Sequence, residues 1–482
     1  KRKPIELRPA ELDEQKPLYE RLSTVQVKEK QHGPKISVIL PAYNSEDGVS
    51  TAIESILSQT WENIELLIVD DCSTDNTYHV AKRYADKDER VKVLQTNQNS
   101  GPYVARNIAL QVATGEFVTI NDADDWSHAE KLAVQAKHLL ENPHIIANTS
   151  EQARLTEALQ FYRRGTPGAY IFPNMSSILF RREPVVEKIG YWDTVRFAAD
   201  GEFKRRLLLA FGKEAFADLQ TGPLSFPRQT ATSLTASSAF GYSGFFMGAR
   251  KEYVESFSYY HKHGESLKYP AEQKERLFPV PIPMLPERKK STRSLDVVIA
   301  ADFYTLNEKS TQLIETEINK NKQLGLKTGL VQMYKYVFDK HKRFSKKMRE
   351  MIDGKDVQMV VYGEKIDCNV LIVHSPSVLL ERQKYIPKIK TKAALIIIEE
   401  TPNMSYNSKV GLSYNLRQTA RNLTFYFNKK GRWYPLDEEV RQNLLKHHQH
   451  ELKSITLAQQ NWTSENELFE EKYHFELRNW LI

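Results

Sequence analysis

Carboxylates crowd the short segment Asp122-Ala-Asp124-Asp125. The residues just before it, 116–120, are mostly apolar and have the length of a buried strand, so the acidic segment begins at a strand end. Two carboxylates spaced as Asp-x-Asp can reach one divalent ion, and hard cations such as Mg²⁺ or Mn²⁺ prefer oxygen ligands. Asp122 and Asp124 are therefore candidate metal ligands, although a solvated acidic turn that caps the next helix would contain the same residues.

A second acidic pair, Asp70-Asp71, follows another apolar run at residues 64–69. Carboxylates at a strand end can accept hydrogen bonds from the N–H of a nucleobase or from a ribose hydroxyl. In the simpler interpretation, Asp71 or Ser73 caps the helix expected from about residue 75. Both roles are compatible, because several polar side chains are available there.

These polar segments must be brought together by the elements that precede them. Apolar runs of strand length alternate with helical spacing from residue 36 to about residue 120, which predicts a parallel α/β sheet. Ligands of such sheets bind beyond the carboxyl ends of the strands. We therefore expect the loops at 41–44, 70–74 and 122–125 to lie side by side.

The rest of the chain indicates a second unit. Five prolines between residues 270 and 286 are typical of a linker, and strands alternate with helices again from residue 295 to about residue 398. The length of 482 residues also exceeds that of one ordinary domain. The expected organisation is a leader segment at 1–33, a first domain at 34–268, a proline-rich linker at 269–292 and a second α/β domain at 293–482.

Composition restricts the class of protein. No apolar run reaches the roughly 18 residues of a membrane span, and no secretion signal opens the sequence. Two cysteines that are far apart, Cys72 and Cys368, fit neither a disulfide framework nor a zinc cluster. These features favour a cytoplasmic protein, and the net charge of +7 permits an anionic partner.

Several blocks of sequence resemble, in the same order, the opening of family 2 glycosyltransferases. The resemblance is clear from about Pro34 to about Leu140 and weaker to about Gly264. It implies a GT-A fold, which is a Rossmann-like mixed sheet flanked by helices, together with a UDP-sugar donor and inversion at the anomeric carbon. The matching blocks lie at 37–44, 55–60, 68–75, 99–107, 115–117 and 122–125.

The resemblance also implies roles for individual residues. Asp124, together with Asp122, would bind Mn²⁺ or Mg²⁺ at the diphosphate, and Asp122 would also lie near the ribose. The loop at Pro41 and Asp71 would surround the uracil. The residues expected around the nucleotide sugar are Pro41, Tyr43, Asp71, Arg106 and Asp122.

Sugar transfer further requires a group that takes the proton of the acceptor hydroxyl. This general base must face the side opposite the leaving group, so it should come from a different segment than Asp124. Asp200 matches the family position for this base, and Glu202 is the alternative. The glutamate that usually precedes the base is absent, because residue 199 is alanine. A competing interpretation makes Asp200 only the N-cap of the following helix.

Other side chains have less specific signals. His261 or His263 could supply a third metal ligand, and Arg228 with residues 230–235 could form a lid over the phosphates. An ordinary surface histidine is the simpler interpretation of His261 and of His263, whereas a plain polar loop would explain Arg228 and residues 230–235 equally well. Aromatic residues that could stack on a sugar ring, or simply fill the core, are Trp126, Tyr170, Phe172 and Trp192.

The second domain faintly resembles the Rossmann-like amino-terminal half of GT-B glycosyltransferases, but it has no Gly-x-Gly-x-x-Gly phosphate loop. A basic stretch at 335–349 is either a solvated helix face or a cradle for an anionic acceptor or a membrane surface. No nucleic-acid-binding module accompanies this charge, so nucleic acid is not an expected partner.

These observations lead to one main hypothesis and two alternatives. The main hypothesis is an inverting transfer from a UDP-sugar to a polysaccharide, teichoic-acid-like or lipid-linked acceptor, at the inner face of the membrane. A nucleotidyltransferase would require a Gly-rich basic loop after the first strand, and residues 41–45 do not form one. A non-catalytic module that binds sugar nucleotides or glycans would have no need of Asp122, Asp124 and Asp200 together.

Overall fold

The computed structural model divides the chain into two compact units. The first comprises the described residues of 1–236, 261–275 and 284–287, and the second those of 237–260, 276–283 and 288–482. The chain therefore passes between the units several times, which differs from the single linker expected at 269–292, and the expected leader belongs to the first unit. The structure describes residues 5–7, 17–24, 29–162, 168–229, 239–241, 247–287, 292–334, 342–402 and 414–463.

The first unit is built on a mixed sheet flanked by helices. The strands of the whole unit are β1 (Ile5–Leu7), β2 (Leu22–Thr24), β3 (Ile36–Ala42), β4 (Ile64–Asp70), β5 (Val91–Gln95), β6 (Phe117–Ile120), β7 (Trp126–Ser127), β8 (Ala147–Ala153), β9 (Ile171–Pro173), β10 (Leu179–Arg181) and β11 (Phe216–Phe226), and β3 to β11 form the mixed sheet. Its helices are α1 (Val49–Leu57), α2 (Thr77–Ala85), α3 (Pro102–Val112), α4 (Lys131–Glu141), α5 (Arg182–Lys188) and α6 (Ala199–Phe211). A further helix, α7 (Ala249–His263), has residues in both units.

The order of strands in this sheet is β5-β4-β3-β6-β10-β8-β11-β7, with β9 beside β8. The first four are parallel, and β10 joins β6 in the antiparallel direction. Strands β3 and β4 are buried along their whole length, as continuous apolar runs predict for central parallel strands covered on both faces. The predicted Rossmann-like mixed sheet is confirmed, and the carboxyl ends of β3, β4 and β6 lie along one edge.

The second unit contains a parallel sheet with the strand order β14-β13-β12-β15-β16-β17. Numbered from its own first strand, this order is 3-2-1-4-5-6, the order of doubly wound dinucleotide-binding sheets, so the predicted second Rossmann-like unit is confirmed. Its strands are β12 (Arg293–Ala301), β13 (Thr328–Gln332), β14 (Val357–Met359), β15 (Lys365–His374), β16 (Lys388–Ile398) and β17 (Arg432–Pro435). Its helices are α8 (Glu308–Gln323), α9 (Lys346–Met351), α10 (Leu416–Phe427), α11 (Glu438–His447) and α12 (Gln449–Leu452).

The basic stretch expected at 335–349 lies only partly within the described residues. Residues 335–341 lie outside the described residues, and α9 supplies a helix only from Lys346 onward. Among the described helices, none combines the length and the apolar character needed to cross a bilayer.

A buried histidine links three elements of the second unit. The ring of His374, at the end of β15, is hydrogen-bonded to Glu317 and to Glu399, each at 2.9 Å. Trp462 donates to the other oxygen of Glu317 at 2.7 Å, and Ser310 donates to Glu399. Burial by itself lowers the pKa of His374, but the two glutamates outweigh it and raise the pKa to about 10. An imidazolium between two carboxylates therefore joins β15, α8 and the end of β16.

Replacing His374 by glutamine should destabilise the second unit by about 3–5 kcal/mol at pH 7, because Glu317 and Glu399 would remain buried without their cation. The folded pKa of His374 lies above its unfolded value of about 6.5. Its stabilising contribution is thus complete below that value and is lost as the pH rises through about 10. Urea unfolding of wild type and H374Q at pH 6, 8 and 10 measures this difference. A gap in unfolding free energy that does not narrow toward pH 10 would contradict the assigned charge.

Candidate functional site

Distant segments of the first unit meet at one buried guanidinium. Arg106, on α3, donates from Nη2 to Asp122 Oδ1 at 3.0 Å and from Nη1 to Asp200 Oδ1 at 2.5 Å. The side chain of Arg106 is 3% exposed, whereas those of Asp122 and Asp200 are 34% and 25% exposed. Both carboxylates are therefore accessible from solvent while the cation that holds them is shielded.

Tyr103 adds a second contact to Asp200 from the preceding turn of α3. Its hydroxyl donates to Asp200 Oδ2 at 2.8 Å, and the Arg106 guanidinium lies 4.7 Å from the centre of its ring. Burial, followed by the charge of Asp200, raises the pKa of Tyr103 well above its usual value, so the hydroxyl keeps its proton. Sequence reasoning missed Tyr103, although its i, i+3 spacing from Arg106 places both side chains on one helix face.

The start of α6 presents Asp200 without using it as a cap. The N-cap residue is Ala198, in the left-handed conformation with φ of 76°, so the N-cap interpretation of Asp200 is wrong. Glu202 is fully buried and pairs with Arg206 at 2.5 Å and 2.9 Å, and His261 contacts the same carboxylate at 3.0 Å. Glu202 is thus a structural partner of Arg206, which leaves Asp200 as the accessible carboxylate of this segment.

The histidine and tryptophan alternatives also take structural roles. His261 Nε2 lies 3.0 Å from the hydroxyl of Tyr269 as well as from Glu202, so it is engaged away from the acidic loop. Trp192 stacks on Phe203 at 4.5 Å, and both Trp192 and Trp126 are buried. Within the described ranges, no group of three or more His, Cys, Asp or Glu side chains could hold a metal ion. Residues 230–235 of the expected lid lie outside the described residues.

The acidic loop that follows β6, residues 122–125, is stabilised by hydrogen bonds from the side chain just before it. The side-chain amide of Asn121 donates to the carbonyls of Asp122 and Asp125, each at 3.1 Å. Burial, followed by the charge of Asp122, raises the pKa of Asp124 to about 6. Burial, followed by the charges of Asp124 and Asp122, raises the pKa of Asp125, and the cations of Arg154 and Lys131 offset this only in part.

This charge balance suits a divalent cation. The charge of Asp122 disfavours the ionised form of Asp124, and a cation bound beside the two carboxylates would offset that repulsion. Two carboxylates, Asp122 and Asp124, leave the remaining coordination positions to water and phosphate oxygens, which is the usual arrangement for Mg²⁺ at nucleotide sites. The residues present therefore fit Mn²⁺ or Mg²⁺ as a metal shared with a ligand.

Asp71 shapes the loop that leads into α3. It is 3% exposed and accepts hydrogen bonds from the backbone N–H groups of Ser100 at 2.9 Å and Gly101 at 2.6 Å, and from the Thr96 hydroxyl at 2.9 Å. Gly101 has φ of 95°, and a Cβ there would lie 3.1 Å from the Cα of Arg196, so only glycine fits this turn. Contact of Asp71 with a nucleobase stays a prediction.

Pro41 and Tyr43 lie at the neighbouring strand end. Pro41 is buried within β3, and Tyr43 is 39% exposed just beyond it. Tyr43 is therefore the member of this pair whose ring a ligand can reach at the edge where β3, β4 and β6 end.

Comparison with known proteins agrees with the motifs. Residues 37–200 match the family model described as "Glycosyl transferase family 2", which confirms the resemblance. TuaG of Bacillus subtilis (strain 168), named provisionally as a teichuronic acid biosynthesis glycosyltransferase, is 42% identical over 108 residues, 22% of this chain and 43% of TuaG. WfgD of Escherichia coli, a "UDP-Glc:alpha-D-GlcNAc-diphosphoundecaprenol beta-1,3-glucosyltransferase", is 41% identical over 107 residues, 22% of this chain and 42% of WfgD.

The matched segment thus spans less than half the length of these curated relatives. Among solved structures, the crystal structure of residues 1–349 of TarS from S. aureus is 26% identical, with a TM-score of 0.34, and covers 40% of this chain and 60% of that one.

Proposed function

Because residues 37–200 carry the sequence of a family 2 glycosyltransferase domain, we propose that this chain transfers a sugar from a UDP-sugar to a hydroxyl acceptor with inversion. The observation that carries this proposal is the bridge from Asp122 through Arg106 to Asp200. It joins a carboxylate of the acidic loop to a carboxylate on α6 that can face the opposite side of a bound sugar. One pocket then contains both a metal-binding side and a proton-accepting side.

The proposed chemistry assigns one task to each group. Asp122 and Asp124 would hold Mn²⁺ or Mg²⁺, which would supply positive charge beside the diphosphate leaving group. Asp200 accepts the proton of the acceptor hydroxyl. As that proton leaves, the acceptor oxygen attacks the anomeric carbon, and the bond from this carbon to the phosphate oxygen breaks. Tyr103 and Arg106 hold the Asp200 carboxylate in a fixed orientation, which reduces the entropy lost on reaching the transition state.

The named relatives support the choice of substrates. WfgD is named for a UDP-glucose donor and a lipid-linked diphosphate acceptor, and TuaG is named provisionally for synthesis of a cell-wall polymer. We therefore include a polysaccharide, a teichoic-acid-like polymer or a lipid-linked sugar as acceptor. Around the nucleotide, the proposed contacts are Pro41, Tyr43, Asp71 and Asp122. Arg106, which was expected among them, is buried and holds Asp122 and Asp200 instead.

The proposal is tested by incubating the full chain with a panel of UDP-sugars, with and without Mn²⁺, and measuring release of UDP. We expect slow hydrolysis of at least one donor that requires Mn²⁺ and is stopped by EDTA. Tight binding of UDP with no turnover of any donor, even with glycan or lipid-linked acceptors added, would instead support a binding module.

Replacing Arg106 by lysine should reduce turnover about 10²-fold and also raise the KM for the donor, because a single ammonium cannot hold Asp200 and the proposed metal ligand Asp122 at once. The matched control is Arg90→Lys, since Arg90 pairs with Asp88 in a partly exposed loop of the same unit. Steady-state kinetics of both variants measure the effect. Equal losses in the two variants would show that the Arg106 bridge has no special role.

A further inference from the structure

A segment that precedes the family match packs against the acidic loop. Residues 17–24 lie before position 37, where the match begins, yet Tyr19 is fully buried and Leu22 is 4% exposed. The backbone N–H of Tyr19 donates to the carbonyl of Glu157 at 3.2 Å. This segment forms a small hydrophobic cluster, separate from the main core, with Trp126, Ala153, Leu155 and Phe226.

The hydroxyl of Tyr19 lies among backbone groups of the acidic loop. It accepts a hydrogen bond from the N–H of Trp126 at 2.9 Å and contacts the carbonyl of Asp124 at 3.2 Å. It also donates to the carbonyl of Phe226, the residue opposite Trp126 in the pairing of β7 with β11. One phenol therefore connects the backbone on both sides of Asp125 to the end of β11.

Two other residues of the segment 17–24 also make contacts near the acidic loop. Glu20 pairs with Arg228 at 3.1 Å, and the Arg228 guanidinium lies 5.2 Å from the centre of the Tyr19 ring. A methyl group on Gly48 would lie 3.6 Å from both Arg228 Nη1 and the Cα of Asp124, so Arg228 is close to the acidic loop. At the other end of the segment, the hydroxyl of Thr24 accepts a hydrogen bond from the N–H of Ala129 at 3.0 Å.

From these contacts we infer that residues 17–24 hold the acidic loop in place, and that Tyr19 is a positioning residue for the carboxylate of Asp124. The inference rests on the proposed function, because it assigns the loop to a divalent cation. Groups that orient metal ligands from behind change metal affinity about 10- to 100-fold when they are removed. The segment expected to be a leader would then be part of the donor site.

Tyr19→Phe removes the hydroxyl and keeps the ring. With UDP present, titration of Mn²⁺ followed by the electron paramagnetic resonance signal of the free ion should give a Kd about tenfold higher than in the wild type. Turnover at saturating Mn²⁺ should recover to the wild-type value, which a general loss of structure would not allow. Tyr84→Phe is the matched control, because the partly buried Tyr84 hydroxyl donates to Glu54 at 2.8 Å elsewhere in the same unit.

Thermal unfolding of each variant verifies that it is folded. If Tyr19→Phe does not fold, Thr24→Val takes its place, since it removes the contact with Ala129 on the other side of the loop and should also raise the Kd for Mn²⁺. An unchanged Kd in the folded variant, with a wild type that binds Mn²⁺, overturns this inference alone. A wild type that binds no Mn²⁺ with UDP overturns the proposed function as well.

Discussion

Asp124→Asn is expected to lower the turnover of any UDP-sugar that the wild type hydrolyses by about 10³-fold or more. An amide cannot supply the negative charge that a divalent cation requires, and only Asp122 would remain as a charged ligand. Affinity for UDP in the presence of Mn²⁺ should fall together with turnover, because the metal is shared with the diphosphate. Calorimetric titration with UDP, with and without Mn²⁺, measures the loss of affinity.

The matched control for this variant is Asp86→Asn. Asp86 pairs with Lys82 on the exposed surface of α2, so the same chemical change there should alter neither turnover nor UDP affinity. Retention of Mn²⁺-dependent UDP binding by Asp124→Asn would mean that the acidic loop is only a capped turn.

Asp200→Asn is expected to reduce turnover about 10³-fold and to leave the affinity for UDP and Mn²⁺ nearly unchanged. Asparagine keeps the size of the side chain, and its carbonyl oxygen can still accept from Arg106 while its amide donates to Tyr103. It cannot accept the proton of the acceptor hydroxyl. Comparing the rate of transfer with the Kd for UDP in one preparation separates the two effects.

A large loss of UDP affinity in Asp200→Asn would contradict this assignment, since it would place Asp200 on the nucleotide. Glu202→Gln is a useful comparison on the same helix. Because Glu202 pairs with Arg206 in the core, that variant should lose stability rather than turnover per folded molecule.

Much of the sheet edge where the candidate site lies could be predicted from the sequence. Apolar runs that end in Pro41, Asp70-Asp71 and Asp122 identified the strand ends, and the general rule for parallel sheets placed them at one edge. Asp200 was identified by resemblance to a family. The geometry that supports it, a guanidinium shared with Asp122, depends on contacts between α3 side chains and Asp200 at the start of α6 and has no local signal in the sequence.

The functional alternatives that the structure does not support share a physical cause, although the other interpretation of Trp192, a core residue, is confirmed. Glu202, His261 and Trp192 have the right chemistry near the right position, but each is buried among partners that come from distant segments. Burial of a polar side chain by non-local contacts cannot be inferred from its spacing. The same reason explains why Tyr19 could not be identified from the sequence. It lies in a polar segment with little periodicity and is enclosed only when β7 and β11 are paired.

Domain boundaries also depended on contacts rather than on composition. The prolines after residue 269 indicated a linker, yet the stretches 261–275 and 284–287 pack with the first unit and 276–283 with the second. A proline-rich stretch fixes local backbone geometry, but it does not determine which core its neighbouring apolar residues join.

The central claim is that Asp122, Asp124 and Asp200 line one pocket for a metal and a nucleotide sugar. A crystal structure of the full chain with UDP and Mn²⁺, using the anomalous signal of manganese, tests it most directly. We predict a manganese peak that joins the diphosphate to the carboxylates of Asp122 and Asp124, with Asp200 facing the space beyond the terminal phosphate. A peak elsewhere, or UDP bound away from the edge where β3, β4 and β6 end, would contradict it.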